Sequence, residues 1–581
     1  MTTDAFIRGG SRRPGHLTPR YGEGLTLALV IVIVTLLAGV PLALLFRTGL
    51  TDDAGYTLGP LLAAMDSVAL QRALWHSVQS AGLSALCATV FGTILALIIG
   101  LTDVRARGLL VFLILLPMMI PPHVTAIAWL QAMGPGSPLL NMLGLAPPPG
   151  SPHPMHGLGG LVALLTIQHT ALVFLILRAA LRGFPREMVE AARLSGAGMG
   201  RILWRVILPL LAPALLAGFM LAFTAALGNF GINALIGIPA RYTTLPVLIW
   251  QRLAAFGPGM LPGVAVIAII LALLTITVLS LQLFLTRRLR TQMTGLAQTP
   301  LAHPLGAFRP FVEAGLWLVV IATLVLPLTA LVATSLVPTY GVPLSGATAT
   351  FANYAEILFR QSVTARAFAN STFIASSAAV LIAILAIALG HFMTRGSRSS
   401  QRAASLAAGQ AEMAYAIPGL VISVAFILAF LQPLPVLGLR LYNTLWIILL
   451  AYVAAFLAIG LKPVIAAFAQ MDSSLDDAGR VAGAGFGRRM LRISGPLAAP
   501  AAASGAMLVF LTAYNEVTVS SLLWSTGNET IGTVIFNYEN GGYTTLAAAM
   551  SVVTVLATIV LMLGLNLFAR RVPPGVIPWR A

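Results

Sequence analysis

The sequence predicts an all-α polytopic membrane protein of about twelve transmembrane helices in two homologous six-helix halves. Three observations carry this expectation. The 581 residues are 58% hydrophobic and only 9% charged, whereas soluble domains carry roughly 25% charged residues. Mean hydropathy is +0.93, and the chain holds many runs of the about 20 apolar residues that a spanning helix needs. Finally, one segment is written twice. Residues 190–213 read EAARLSGAGMGRILWRVILPLLAP, residues 477–500 read DAGRVAGAGFGRRMLRISGPLAAP, and 12 of the 24 aligned positions are identical.

The first element is a tail, 1–24, carrying Arg8, Arg12, Arg13 and Arg20. A signal peptide begins similarly. The apolar run 25–46 is longer than a signal h-region, however, and its end, GVPLALLFRTGL, offers no small-residue cleavage site. It reads as a retained first span with a cytoplasmic N-terminus. Further spans are expected near 74–101, 109–133, 158–181, 210–236 and 262–286, which completes a first half, 25–286. A polar, Pro- and Gly-broken stretch, 287–311, reads as a cytoplasmic linker. The second half, 312–569, repeats the set near 312–335, 368–393, 404–431, 441–462, 498–523 and 546–569. A short tail, 570–581, ends inside. Pro121, Pro122 and Pro418 are expected to break spans, and broken backbone is tolerated at membrane depth only where it lines a cavity or is buried in protein.

Charge agrees with this layout. Of the 34 basic residues, 27 fall in predicted inside segments. The seven outside are Arg47, Arg72, Arg241, Arg252, Arg360, Arg366 and Arg440. That asymmetry is the positive-inside pattern, so the net charge of +17 needs no nucleic-acid partner. Both copies of the repeat fall inside. The only lysine is Lys462, in GLKP. A phosphate-binding P-loop sets a Lys beside its glycines, so no ATP hydrolysis is expected of this chain. Cys87 is the single cysteine, which excludes an intrachain disulfide framework.

Each repeat reads as a helix, a glycine turn and a second short helix outside the membrane. In copy one, Pro185 suits the first helical position, and Glu187 and Glu190 favour a helix N-terminus. Gly196 is placed to end that helix in a left-handed turn. The second helix is expected from about Gly200 to a break before Pro209. Copy two repeats the plan with Asp472 or Ser473 as N-cap, Asp476 and Asp477 in the first turns, Gly483 as stop and Pro496 as break. The bare Gly-Ala-Gly turn lets another protein surface approach closely. Arginines beside it, Arg201 and Arg488, suit acidic groups on that surface. Interfacial helices touching lipid headgroups are the alternative.

The pattern Glu-Ala-Ala, three residues, Gly, nine residues, Ile-x-Leu-Pro resembles that of permeases of binding-protein-dependent ABC importers. Copy one matches with Glu190, Ala191, Ala192, Gly196, Val206, Leu208 and Pro209, and Gly198 in its turn is a further expected coupling residue. Copy two matches more loosely, with Asp477, Ala478, Gly479, Gly483, Ile493 and Pro496 but Gly495 where Leu is usual, and Gly485 in its turn is a further expected coupling residue. The resemblance implies a type I importer permease fold in which each copy is a coupling helix. It implies two ATP-binding-cassette ATPase subunits as partners, with ATP and Mg bound there and no cofactor on this chain. It also implies a periplasmic binding protein, surrounding membrane lipid and a bacterial inner-membrane location. The texts at 226–250 and 514–543 are similar to those of ferric-iron permeases, which implies ferric iron as solute. Thiamine, polyamine and phosphonate permeases share the architecture and stand as alternatives.

Within the spans, Asn229 falls opposite Glu516 at the repeat offset. An ionisable residue in a span is by default a pathway hypothesis, and a carboxylate satisfied by its neighbours is the plainer reading. With Pro121 and Pro418, these are the candidate path residues. Glu412 reads as solvated. Gln168 and His169 read as an interhelical hydrogen-bonding pair. His153 and His156 lack a third metal ligand, so no metal site is expected, and no catalytic constellation is present. A twelve-span secondary transporter would need more buried charge, and a membrane enzyme would need paired carboxylates or a nucleophile.

Overall fold

The computed structural model describes residues 21–52, 55–148, 150–183, 186–255, 259–288, 303–434 and 438–568. The arginines of the N-terminal tail, Pro185, most of the linker and the tail 570–581 lie outside the described residues. The first half comprises α1 (Gly22–Gly49), α2 (Val68–Leu101), α3 (Arg107–Met119), α4 (Pro122–Met133), α5 (Leu158–Arg182), α6 (Arg186–Leu194), α7 (Met199–Gly228), α8 (Gly231–Gly237), α9 (Leu245–Ala254) and α10 (Met260–Arg288). The second comprises α11 (Gly306–Ser335), α12 (Ser362–Arg395), α13 (Arg398–Ala416), α14 (Gly419–Phe430), α15 (Leu445–Gln470), α16 (Ser474–Val481), α17 (Phe486–Tyr514), α18 (Ser520–Leu523), α19 (Ile531–Asn540) and α20 (Thr544–Phe568).

Ten of these helices are long and apolar enough to cross a membrane alone. The two remaining expected spans, 109–133 and 404–431, are not straight helices. α3 and α4 are bent by 99° to one another, and α13 and α14 by 115°. The physical cause is proline. Ile120 and Ile417 each precede a proline and adopt extended backbone, because a proline ring disfavours the helical region for the residue before it. Pro121 and Pro418 then stand at the N-cap with nearly equal torsions, φ −54° and ψ 136° or 140°.

Four other prolines are absorbed without a break. Pro41, Pro209, Pro327 and Pro496 each follow a five-residue π-helical turn by two positions: Thr35–Gly39, Leu203–Ile207, Ile321–Val325 and Met490–Ser494. Proline lacks the N–H and its ring crowds the carbonyl four residues back. A π-turn shifts the hydrogen-bond register there and keeps the rod continuous. The expected breaks before Pro209 and Pro496 are therefore corrected. The second limb of each repeat runs straight into a span.

Each half has a three-helix centre: α2, α5 and α7 in one, α12, α15 and α17 in the other. Small residues allow the close crossings, as membrane interfaces favour. A Cβ on Gly92 would stand 2.8 Å from Val173 Cβ, and one on Gly505 would stand 2.8 Å from the Gly460 carbonyl oxygen. The first helix of each half packs across the boundary. α1 lies on α12, α13 and α14, while α11 lies on α3 and α4. Thr35 donates to Gln410 Oε1 at 3.0 Å within this crossing. The segment before α11 is held by the first half, where His303 N donates to Leu101 O at 2.8 Å and Leu305 N to Asp103 Oδ1 at 3.0 Å. The outer faces carry exposed Leu29, Leu36, Phe91, Leu318, Ile384 and Val560, an apolar girdle suited to lipid.

Candidate functional site

The two repeats fold alike. Ser195, Gly196 and Ala197 donate to the carbonyls of Ala191, Arg193 and Ala192 at 3.0, 2.9 and 3.0 Å. Ala482, Gly483 and Ala484 donate to Ala478, Arg480 and Gly479 at 2.9, 3.0 and 3.0 Å. Gly196 has φ +77° and Gly483 φ +75°, so each closes its helix in a left-handed turn with the six-to-one bond of a Schellman motif. A Cβ on Gly196, Gly198, Gly200, Gly483, Gly485 or Gly487 would meet nothing within 4 Å. Leu194 and Val481, at matching positions beside those turns, are each 90% exposed. Glu190, Ala191, Arg201, Asp477, Ala478 and Arg488 are exposed as well, and Ala192 is half-exposed. Each repeat thus presents a bare glycine turn with an apolar residue at its tip. Both lie at one end of the bundle, where α1 and α11 start and α2 and α12 end.

Beneath the turns the copies differ. Val189 and Ile202 are buried with Leu101, Ile207 and Leu211 in copy one. Their counterparts in copy two are Asp476 and Arg489, also buried. The sequence placed Asp476 as a helix-end charge, and its burial against an arginine was not legible locally. The cap expected at Asp472 or Ser473 is looser than foreseen. Asp472 Oδ1 accepts Ser474 N at 2.9 Å, and Ser473 makes no side-chain cap.

Asn229 and Glu516 occupy equivalent places. Each follows the fifth span of its half and caps a short helix behind it. Asn229 Oδ1 accepts Ile232 N at 3.0 Å. Glu516 accepts Val519 N at 2.7 Å and Ser520 N at 3.2 Å. Both also line one cavity of roughly 590 Å³ between the halves. Its wall is mostly Leu, Met, Phe, Ile and Val, with Gln168, Tyr415, Thr512 and Asn515 as polar points. Pro121 lines it too. Pro418 instead wedges against Gly228 across the boundary, where a Cβ on the glycine would lie 3.4 Å away. The interhelical pair expected of Gln168 and His169 is corrected. Gln168 Oε1 and His169 Nδ1 are buried without partners, and Gln168 turns to the cavity. Glu412 is exposed. His153 and His156 stack at 4.6 Å, and His153 bonds Leu130 O and Met155 N. Among the described residues no group of three His, Cys, Asp or Glu is placed to hold a metal ion.

Residues 88–291 and 386–578 each match the family of binding-protein-dependent transport system inner membrane components. The chain belongs to that family. The match occurs once per half, as the repeat requires. A probable ABC transporter permease of Sinorhizobium fredii (strain NBRC 101917 / NGR234) is 26% identical over 570 residues, covering 95% of both chains. A probable molybdenum ABC transporter permease of Haloferax volcanii is 32% identical over 265 residues, 44% of this chain and 91% of that one. The spermidine/putrescine permease PotC of Escherichia coli K12 is 29% identical over 224 residues, 38% of this chain and 76% of that one. The latter two align with under half of the present chain, which therefore joins two permease-sized halves. It is a multi-pass membrane permease subunit of an ABC importer, of type I fold. Membership implies a solute-binding protein and an ATPase as partners.

Proposed function

We propose that this chain forms the whole translocation path of its importer and docks two ATPase subunits, one through Glu190–Pro209 and one through Asp477–Pro496. The duplicated glycine turn with an exposed apolar tip supports this, since two matched surfaces suit two copies of one partner. Both turns then face the cytoplasm of the inner membrane, as do both termini. ATP-driven closure of the ATPases draws the turns together, and the halves rock about the central cavity. The chain supplies two conformations, and its partners stabilise opposite ones.

The solute is a cation, and an organic cation of the polyamine kind fits best. The observation that carries this is the cavity wall. Glu516 is its one acidic or basic side chain among the described residues. A carboxylate attracts a cation, the amides and hydroxyls accept ammonium groups, and the apolar wall suits methylene chains. An oxyanion such as molybdate would meet no arginine or lysine there. Ferric iron, implied by the sequence resemblance, is a cation too, but the wall offers a single carboxylate to it.

Uptake of labelled putrescine, ferric ion and molybdate into proteoliposomes carrying the full complex tests this. Putrescine uptake should require ATP. Glu516→Gln should lower it tenfold or more while costing less thermal stability than Glu516→Ala, because the amide oxygen still accepts one of the two backbone N–H groups. Glu516→Ala should also destabilise, since two orphaned donors cost about 1–3 kcal/mol each. Molybdate uptake unaffected by Glu516→Gln would refute the cation reading. Uptake on an ion gradient without ATPase would refute the importer mechanism.

A further inference from the structure

The second coupling segment is fastened to the first helix of the chain by buried ion pairs, whereas Arg193 of the first segment reaches His303 Nδ1, just ahead of α11, at 3.4 Å. Arg489 is 3% exposed and Asp476 4%. Arg489 Nη1 pairs with Asp476 Oδ2 at 2.9 Å, and its Nη2 donates to Glu23 Oε1. Arg480 joins both acids, with Nε 3.2 Å from Asp476 Oδ2 and Nη2 3.7 Å from Glu23 Oε1. Two acids and two arginines form a closed, neutral cluster. Asp476 and Arg480 lie on α16, Arg489 lies at the start of α17, and Glu23 comes from α1. Beside them Phe486 stacks on Phe392 at 5.5 Å and meets the His391 ring at 5.4 Å.

Buried charge is expensive, and apolar residues of similar volume often do as well or better. Copy one shows that the fold accepts that solution, with Val189 and Ile202 at the same places. The charged version therefore needs a reason beyond packing the segment. Its distinguishing product is the bond to α1. That helix packs on α12, α13 and α14 of the second half and also on α10 of the first. It is thus a rod that joins the second coupling segment directly to both halves.

We propose that Glu23 is a positioning residue. It couples α1 rigidly to the second coupling segment, so that a displacement of that segment is carried along α1 to both halves of the path. The inference rests on reading that segment as an ATPase docking point. The two parts stay together throughout the cycle, and losing the Glu23 contact lets the segment move without the path.

A disulfide tests this directly. Gly22 and Phe486 face each other, and a Cβ on Gly22 would stand 3.9 Å from Phe486 Cβ, within the usual disulfide range of about 3.5–4.5 Å. In a Cys87→Ser chain, Gly22→Cys with Phe486→Cys is assembled with its ATPase and binding protein in proteoliposomes. The oxidised complex should transport within twofold of the reduced one. Glu23→Gln should lower transport at least tenfold, and adding the cysteine pair should restore it on oxidation and lose it again on reduction. A role confined to folding would not switch with redox state. A disulfide that abolishes transport overturns the proposal, as does Glu23→Gln with unchanged transport.

Should the cysteine pair fail to assemble, a mutant cycle serves instead. In an Asp476→Val, Arg489→Ile chain, Glu23→Gln should cost little further transport. An equal loss in both backgrounds overturns the proposal. Leu194→Cys and Val481→Cys, each cross-linked to the ATPase, keep the two readings apart. Missing adducts refute docking, whereas intact adducts with a transport-dead disulfide refute the tie alone.

Discussion

Replacing Gly196 and Gly483 separates the turn from the spans. Both sit in the left-handed region, and nothing lies within 4 Å of an added Cβ. A substitution there meets no steric clash, so its cost is purely the backbone conformation. For a residue bearing Cβ that is about 1–2 kcal/mol, a factor of about 5–30 in the population of the turn. Asn tolerates this region better than most residues, and a β-branched residue is an outlier in it. Transport should therefore fall in the order Gly, Asn, Ala, Val at either position. The two turns are distinct sites, so the double Ala variant should lose the sum of the single effects. The assay is ATP-driven uptake together with co-purification of the ATPase. Thermal unfolding of the isolated permease should change little, because the spans are untouched. Gly196→Val with full uptake, or Asn as damaging as Val, would refute the argument.

Two further outcomes follow from the same structure. Gly505→Val should prevent assembly of the second half, because its Cβ would stand 2.8 Å from the Gly460 carbonyl oxygen; a monodisperse, heat-stable variant in detergent would contradict this. The Leu305 amide, and then Arg309, hold the Asp103 carboxyl below its ordinary pKa. A depressed folded pKa adds stability above the unfolded value and loses it as pH falls through the folded one. The exchange protection factor over residues 303–308, which divides out the base-catalysed intrinsic rate, should thus be high at neutral pH and fall only under acid conditions below the usual carboxylate range; a protection factor that falls on going from pH 7 to pH 9 instead would contradict it.

Much of this was legible in the chain, for identifiable reasons. The spans followed from apolar run length, and the glycine turns followed from Gly196 and Gly483, because those signals are local. The proline effects were only half legible. Pro121 and Pro418 break their helices, while Pro209 and Pro496 are taken up by π-turns, and neighbouring sequence alone does not separate the two outcomes. The ion cluster was hidden because Glu23 and Arg489 are 466 positions apart. The one clue was the change from Val189 and Ile202 to Asp476 and Arg489, a complementary pair replacing an apolar pair at matched sites. The double duty of Asn229 and Glu516, capping a helix and lining the cavity, was likewise invisible until the short helices behind them were seen.

The crossed-over first helix has a consequence for biosynthesis. Thr35 finds its partner on Gln410, which the ribosome adds 375 residues later. At about 5–20 residues per second, the leading helix waits roughly 20–75 s for the groove it belongs in. Until then it rests in lipid with the Thr35 hydroxyl short of its partner, and Glu23, at the end of the helix outside the span, awaits Arg480 and Arg489. Cutting the gene between the halves would leave each product missing one wall, so the two pieces would mature only when made together.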